Sequence, residues 1–147
     1  PPMPTPAATA HAVLGHLDVA GVAAFVRASM EPSGLMFTEL RHVGGAFARA
    51  PRTAGVLGSL PGDLVLHCVG VAPTPEAFAA VQRDAAAGLT TMRPWRLDGR
   101  SLTFTDEPDM TPGACADAFT AEDWARVAEV RSTVDPGGVM QAAVEVG

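Results

Sequence analysis

The chain has no Lys, Asn, Ile or Tyr, and only 5% of its 147 residues are aromatic. With Lys missing, all ten formal cations are Arg, spread along the chain against sixteen Asp and Glu. A net charge of −6 without a basic cluster excludes a nucleic-acid footprint, because neutralising phosphates takes clustered cations. No apolar run reaches the length that crosses a bilayer. No charged segment precedes an apolar run in the manner of a secretory signal. The two cysteines, Cys68 and Cys115, have no paired spacing, so they make neither a disulfide framework nor a zinc site. A reducing cytoplasm is the expected location. The missing amino acids have AT-rich codons and the abundant Ala, Gly, Pro, Val and Arg have GC-rich ones, as in a bacterial gene of high GC content. The first residues, Pro1-Pro2-Met3-Pro4, read as the middle of a longer polypeptide.

What is present is the composition of a packed protein, with 48% hydrophobic and 18% charged residues. A chain of this length buries roughly 68–70% of its unfolded surface and needs no staple to fold. Residues 1–16 are Pro- and Ala-rich and read as an extended lead-in to a single unit over 17–147. Asp18 caps a predicted helix with Val22, Phe25, Val26 and Met30 on its apolar stripe. Leu35 to Val43 reads as a strand, and the nearly all-apolar Leu64 to Val71 as a buried central one. Thr74, Pro75 and Glu76 start a second helix whose inner side is Phe78, Val81, Ala85, Leu89 and Met92. Arg100 to Thr105 reads as a short strand and Asp106 to Phe119 as a loop. A capping box at Thr120-Ala121-Glu122-Asp123 opens a last helix that turns Trp124, Val127, Ala128 and Val134 inward. Val139 to Val146 follows as an extended tail. This order predicts an α+β fold, an antiparallel sheet with helices packed on one face.

Among polar residues, Glu39 and Arg41 carry the clearest signal. Two positions apart on a strand, they share one face, and with helices on the other face they point into a cleft or water. His67 lies on the central strand. Gly44-Gly45 lacks the rest of a phosphate-binding fingerprint and reads as a bend. His11, His16, His42 and His67 lack metal-ligand spacing. Asp106, Glu107, Asp109 and Asp117 read as a solvated acidic loop. No nucleophile elbow is present.

Three segments, in order, resemble one family. They are Glu39-Leu40-Arg41-His42-Val43-Gly44-Gly45-Ala46, then Arg93-Pro94-Trp95 with Gly99-Arg100-Ser101-Leu102-Thr103-Phe104, and then Trp124-Ala125-Arg126-Val127 through Val134-Asp135-Pro136-Gly137-Gly138-Val139-Met140. Together they are similar to the C-terminal part of berberine-bridge-enzyme-like FAD-linked oxidases. The resemblance implies a substrate domain roofing a flavin that is held by another domain or subunit. The candidate substrate contacts are Glu39, Arg41, His67 and Thr103, with a solvated surface ion pair as the alternative for Glu39 and Arg41, and the candidate cofactor contacts are Gly138 and Gln141. Where the family pattern has Tyr and Asn, this chain has Ser101 and Thr103, and Gly138 and Ala143 stand at or near two further Asn positions. Ser101 cannot replace a phenolic base, since an alkoxide is far less accessible than a phenolate.

Two functions follow. One is the substrate-side C-terminal portion of an FAD-dependent oxidoreductase, inactive without a flavin-binding domain. The other is a stand-alone α+β module that has lost flavin chemistry and binds a small ligand, or a second copy, on the sheet face. An exposed sheet face is a liability, so either reading expects a partner or self-association.

Overall fold

The computed structural model describes residues 6–106, 110–142, 144 and 146. The opening Pro1 to Pro4, Ala143, and Glu107 and Asp109 of the acidic loop lie outside the described residues.

Strands β1 (Ala7–Leu14), β2 (Phe37–His42) and β3 (Leu64–Val71) form one antiparallel sheet in the order β1-β3-β2. β3 reads as a continuous apolar run because it is central and buried from Val65 to Gly70. Its even-numbered residues Leu66 and Cys68 meet Ala12 and Leu14 of β1 in the core beneath helices α1 (Val19–Met30) and α2 (Pro75–Thr91). Ala24, Ala85 and Met92 close that core from the helix side. Side chains alternate along a strand, so the odd-numbered residues face away from the helices. Cross-strand register then sets His11 of β1 and Glu39 of β2 on either side of His67.

The expected α+β architecture is therefore the observed one. Helices α1 and α2 start where their caps predict. Asp18 accepts from the Gly21 amide at 2.8 Å, and Thr74 from the Ala77 amide at 3.2 Å, with Pro75 in the first turn. Val81, Ala85 and Met92 are buried, as the stripe of the second helix requires.

Several expectations are corrected. The lead-in over 1–16 contains β1, which pairs with β3 along its full length and belongs to the sheet. Its Ala-rich sequence carries little strand propensity, and the neighbouring strand supplies what the composition withholds. On α1, Phe25 of the expected stripe packs against the core, but Val22, Val26 and Met30 are exposed, while Gly21 and Ala24 are buried. The reason is close approach: a Cβ at Gly21 would stand 2.9 Å from the Trp95 ring, so only the small-residue edge fits there.

Residues Leu102–Phe104 form a 3-10 turn where a short strand is predicted. The amides of Phe104 and Thr105 close onto the carbonyls of Ser101 and Leu102, leaving no ladder to join. Helix α3 (Pro112–Ala116) interrupts the predicted loop, capped by Thr111 in the same Thr-Pro arrangement that starts α2. Helix α4 (Ala121–Val134) begins at Thr120, whose hydroxyl oxygen accepts from the Asp123 amide. Asp123 accepts the Thr120 hydroxyl at 2.8 Å in return, so the reciprocal half of the box is made to a side chain and not an amide. Trp124, Val127 and Ala128 are half-buried, whereas Val134 is exposed. Within the described part of 139–146 there is no strand. Among the described residues, no helix is long and apolar enough to cross a membrane.

Two glycines separate backbone strain from crowding. Gly45 (φ +66°) has open space where a Cβ would stand, whereas at Gly62 (φ +78°) that atom would lie 2.5 Å from the Leu14 carbonyl oxygen. Gly45→Ala is expected to cost about 1 kcal/mol, and Gly62→Ala clearly more, in urea unfolding. Equal losses would contradict the turn geometry described here.

Candidate functional site

Period-two alternation on three strands delivers His11, Glu39, Arg41 and His67 to the sheet face away from α1 and α2. The 3-10 turn Leu102–Phe104 lies against this face and lowers Phe104 onto it. The Phe104 ring centroid is 4.7 Å from that of His67, and the Arg41 guanidinium carbon sits 4.9 Å from the ring centre. The second distance is that of a cation–π contact. Phe37 approaches His67 edge-on, with centroids 6.1 Å apart.

Glu39 ties the group together. Its Oε1 accepts from Arg41 Nε at 2.7 Å and lies 3.2 Å from His67 Nδ1. Desolvation is the largest influence on Glu39 and pushes its pKa up. The hydrogen bonds from His67 and Arg41, with the charges of the two groups, together outweigh it, so the carboxyl ends below its ordinary value. An ionised carboxylate only accepts, so His67 Nδ1 is the donor in this pair. That hydrogen bond selects the tautomer of the neutral ring and leaves Nε2 as a bare acceptor. Among the described residues, Nε2 is buried without a hydrogen-bond partner, in a residue only 8% exposed. Buried polar atoms are normally satisfied, and an orphan of this kind marks a place where a partner group is missing.

The 3-10 turn is fastened at two points of β1. The Ser101 amide donates to His11 Nε2 at 3.0 Å, and Asp106 Oδ2 accepts from the Thr9 amide. Burial, then the charge of Arg100, holds His11 down at about 4, against an opposing hydrogen bond with the Phe104 backbone. A neutral His11 is what the Ser101 contact requires, because a protonated Nε2 cannot accept.

Of the residues expected from sequence, the structure thus brings Glu39, Arg41 and His67 into direct contact. Thr103 lies in the same 3-10 turn with its side chain exposed, adjacent in sequence to the ring that makes the contacts. Gly138 and Gln141 follow α4, in a segment held by local hydrogen bonds. The Gly138 amide bonds the Asp135 carbonyl at 3.0 Å, and the Asp135 carboxylate accepts from the Val139 and Met140 amides. Among the described residues, no hydrogen bond links Gly138 or Gln141 to the sheet face. Phe104, His11 and Ser101 are members that the sequence reading missed. Phe104 was available as the one aromatic in the Arg100 to Thr105 segment, and His11 needed the register of β1 against β3.

No protein-family profile and no curated protein sequence matches the chain. Two solved structures of Physcomitrella patens BBE-like 1, the wild type and a single-residue variant, do match in three dimensions. Their TM-scores are 0.71 and 0.70, each at 10% identity over 97% of this chain. The match occupies 30% of those chains, so this chain spans less than a third of the length of the protein it is similar to. At that identity the likeness establishes the fold, in agreement with the resemblance carried by the three sequence segments.

The His11 contact has a pH signature. The unfolded chain takes up its proton near pH 6.5 and the folded chain only near 4. The stabilisation is therefore complete above about pH 6.5 and is lost as the pH falls toward 4. Urea midpoints are expected to decline across that window, and His11→Gln to flatten the decline. An unchanged slope in the variant would remove His11 from the account.

Proposed function

We propose that this chain is the substrate-side portion of an FAD-dependent oxidoreductase and is inactive without a flavin-binding domain or subunit. The observation that carries the reading is the buried Nε2 of His67, without a hydrogen-bond partner among the described residues and with Glu39 on the other nitrogen, on the sheet face away from α1 and α2, in a fold shared with a BBE-like protein.

The residues after α4 fit contact with a flavin held elsewhere, not retention of one. Gly138, with open space around its Cα, and the exposed Gln141 allow close approach but supply no cradle of donors. When bound, the flavin supplies the hydride acceptor. This chain's own residues handle the substrate and its proton. Arg41 and Glu39 form a charge pair that keeps the carboxylate ionised and His67 in one tautomer. His67 Nε2 then accepts the proton that a substrate hydroxyl or amine gives up as it is oxidised. Phe104 is an apolar platform that excludes water beside that nitrogen, and the exposed Thr103 hydroxyl is placed to bond a polar substituent. A histidine paired with a carboxylate does the work that a phenol would do where this chain carries Ser101.

The native species from its source is expected to be heavier than the 15.1 kDa chain and to show flavin absorbance. In that species His67→Gln should slow flavin reduction by substrate on the order of 100-fold or more. A colourless species at the mass of the chain, unchanged by added FAD, would overturn the proposal and leave the stand-alone binding module.

A further inference from the structure

The two outer edges of the sheet differ. Along a paired strand, the backbone groups of successive residues point alternately to one neighbour and the other. In β1 the even-numbered residues face β3, in step with the Ala72 amide that donates to the Pro6 carbonyl at 2.9 Å, and the odd-numbered ones face outward. That outward edge is occupied. The Val13 carbonyl accepts from the Leu97 amide at 2.9 Å, the Thr9 carbonyl from Gln82 Nε2 at 3.4 Å, and the Thr9 amide donates to Asp106.

On β2 the parity is reversed. The Val43 amide donates to the Asp63 carbonyl at 2.9 Å, in step with the register of β2 on β3, so Phe37, Glu39 and Arg41 turn their backbone groups toward β3. Thr38, Leu40 and His42 present amide and carbonyl outward. Among the described residues, no strand and no hydrogen bond meets those groups. An unpaired edge is a template for another strand unless Pro, a bulge or repelling charge blunts it. Residues 37–42 contain no Pro, and Glu39 and Arg41 are of opposite sign.

We propose that this edge pairs with the same edge of a second copy, antiparallel across a two-fold axis, making one continuous sheet in the order β1-β3-β2-β2-β3-β1. Hydrogen bonding across the axis sets even-numbered residues opposite even-numbered ones. An axis at Glu39 would set Glu39 against Glu39, and one at Arg41 would set Arg41 against Arg41. With the axis at Leu40, Thr38 meets His42, and Glu39 meets Arg41 of the second copy on both sides of the axis. Every outward amide and carbonyl of Thr38, Leu40 and His42 is then paired. Exposed Phe37 stands opposite Val43 of the second copy.

The side chains have room for this pairing. Glu39 Oε1 is taken by Arg41 Nε and His67 Nδ1, whereas among the described residues Oε2 has no hydrogen bond and neither do the Arg41 Nη groups. Arg41 of the second copy brings its Nη donors to Oε2, so each copy adds a guanidinium to the carboxylate that orients His67 of the other. The contact runs edge to edge, does not cover the sheet face, and does not rest on the oxidoreductase reading.

The test is sedimentation equilibrium of the whole chain over a concentration series, with amide hydrogen exchange on the same samples. The chain is expected to pass from 15.1 kDa to twice that mass as its concentration rises. The Thr38, Leu40 and His42 amides should exchange at least about tenfold more slowly in the dimer. Arg41→Glu and Glu39→Arg should each weaken self-association at least about tenfold, since like charges then face each other, and an equimolar mixture of the two should restore it. Should those variants not fold, His42→Pro removes an outward amide that the single copy leaves unused, and should weaken association by at least about tenfold. A monomer at every concentration up to millimolar, a dimer whose three outward amides exchange as fast as in the monomer, or an association unchanged in His42→Pro would overturn the proposal.

Discussion

The burial of β3 on both faces is the constraint on which the rest of the structure depends. A strand with Val65, Leu66, Cys68 and Val69 all buried can sit only in the middle, so it needs a neighbour on each edge and cover on each side. β1 and β2 supply the edges, and α1 and α2 cover one side. The other side is covered in part by the three-residue turn that carries Phe104, and there a histidine is buried without a full set of hydrogen bonds among the described residues.

The chemistry of the sheet face follows from geometry more than from any single residue. Glu39 and Arg41 alone would be a surface ion pair of small energetic weight. Cross-strand register adds His67 to the carboxylate, and the turn adds an aromatic ring within 5 Å of both the imidazole and the guanidinium. Partial desolvation strengthens each of these contacts and makes the one unpaired nitrogen costly. The turn in turn depends on β1, through Ser101 to His11 and Asp106 to Thr9. The segment that looked like a lead-in is thus what holds Phe104 in place.

Much of this could be read from the sequence where the signal was local. The apolar run of β3, the caps at Asp18 and Thr74, and the shared face of Glu39 and Arg41 are all written within a few residues of one another. What was missed depends on distant partners. Strand β1 is rich in alanine, and only pairing with β3, more than fifty residues away, makes it a strand. The whole stripe of α1 was assigned to the core on hydrophobicity, but only Phe25 of it reaches the core, and beside it the helix packs by its small residues because Trp95 leaves no room at Gly21. Phe104 lay in a stretch that reads as a short strand, and the 3-10 turn found there sets its direction. The motifs resembling the BBE-like oxidases predicted the fold well, and their order along the chain was more informative than any one of them.

The central claim is that Glu39 fixes His67 as the tautomer with a proton on Nδ1 and a bare, buried Nε2. Nitrogen-15 spectra of the histidine ring, recorded on the whole chain at neutral pH, test it directly. The account predicts a protonated Nδ1 and an Nε2 resonance of unprotonated character, reverting to the mixture of an unconstrained ring in Glu39→Gln. A proton found on Nε2 with a bare Nδ1 would contradict it, since the carboxylate could not then be the partner and no acceptor would face a substrate.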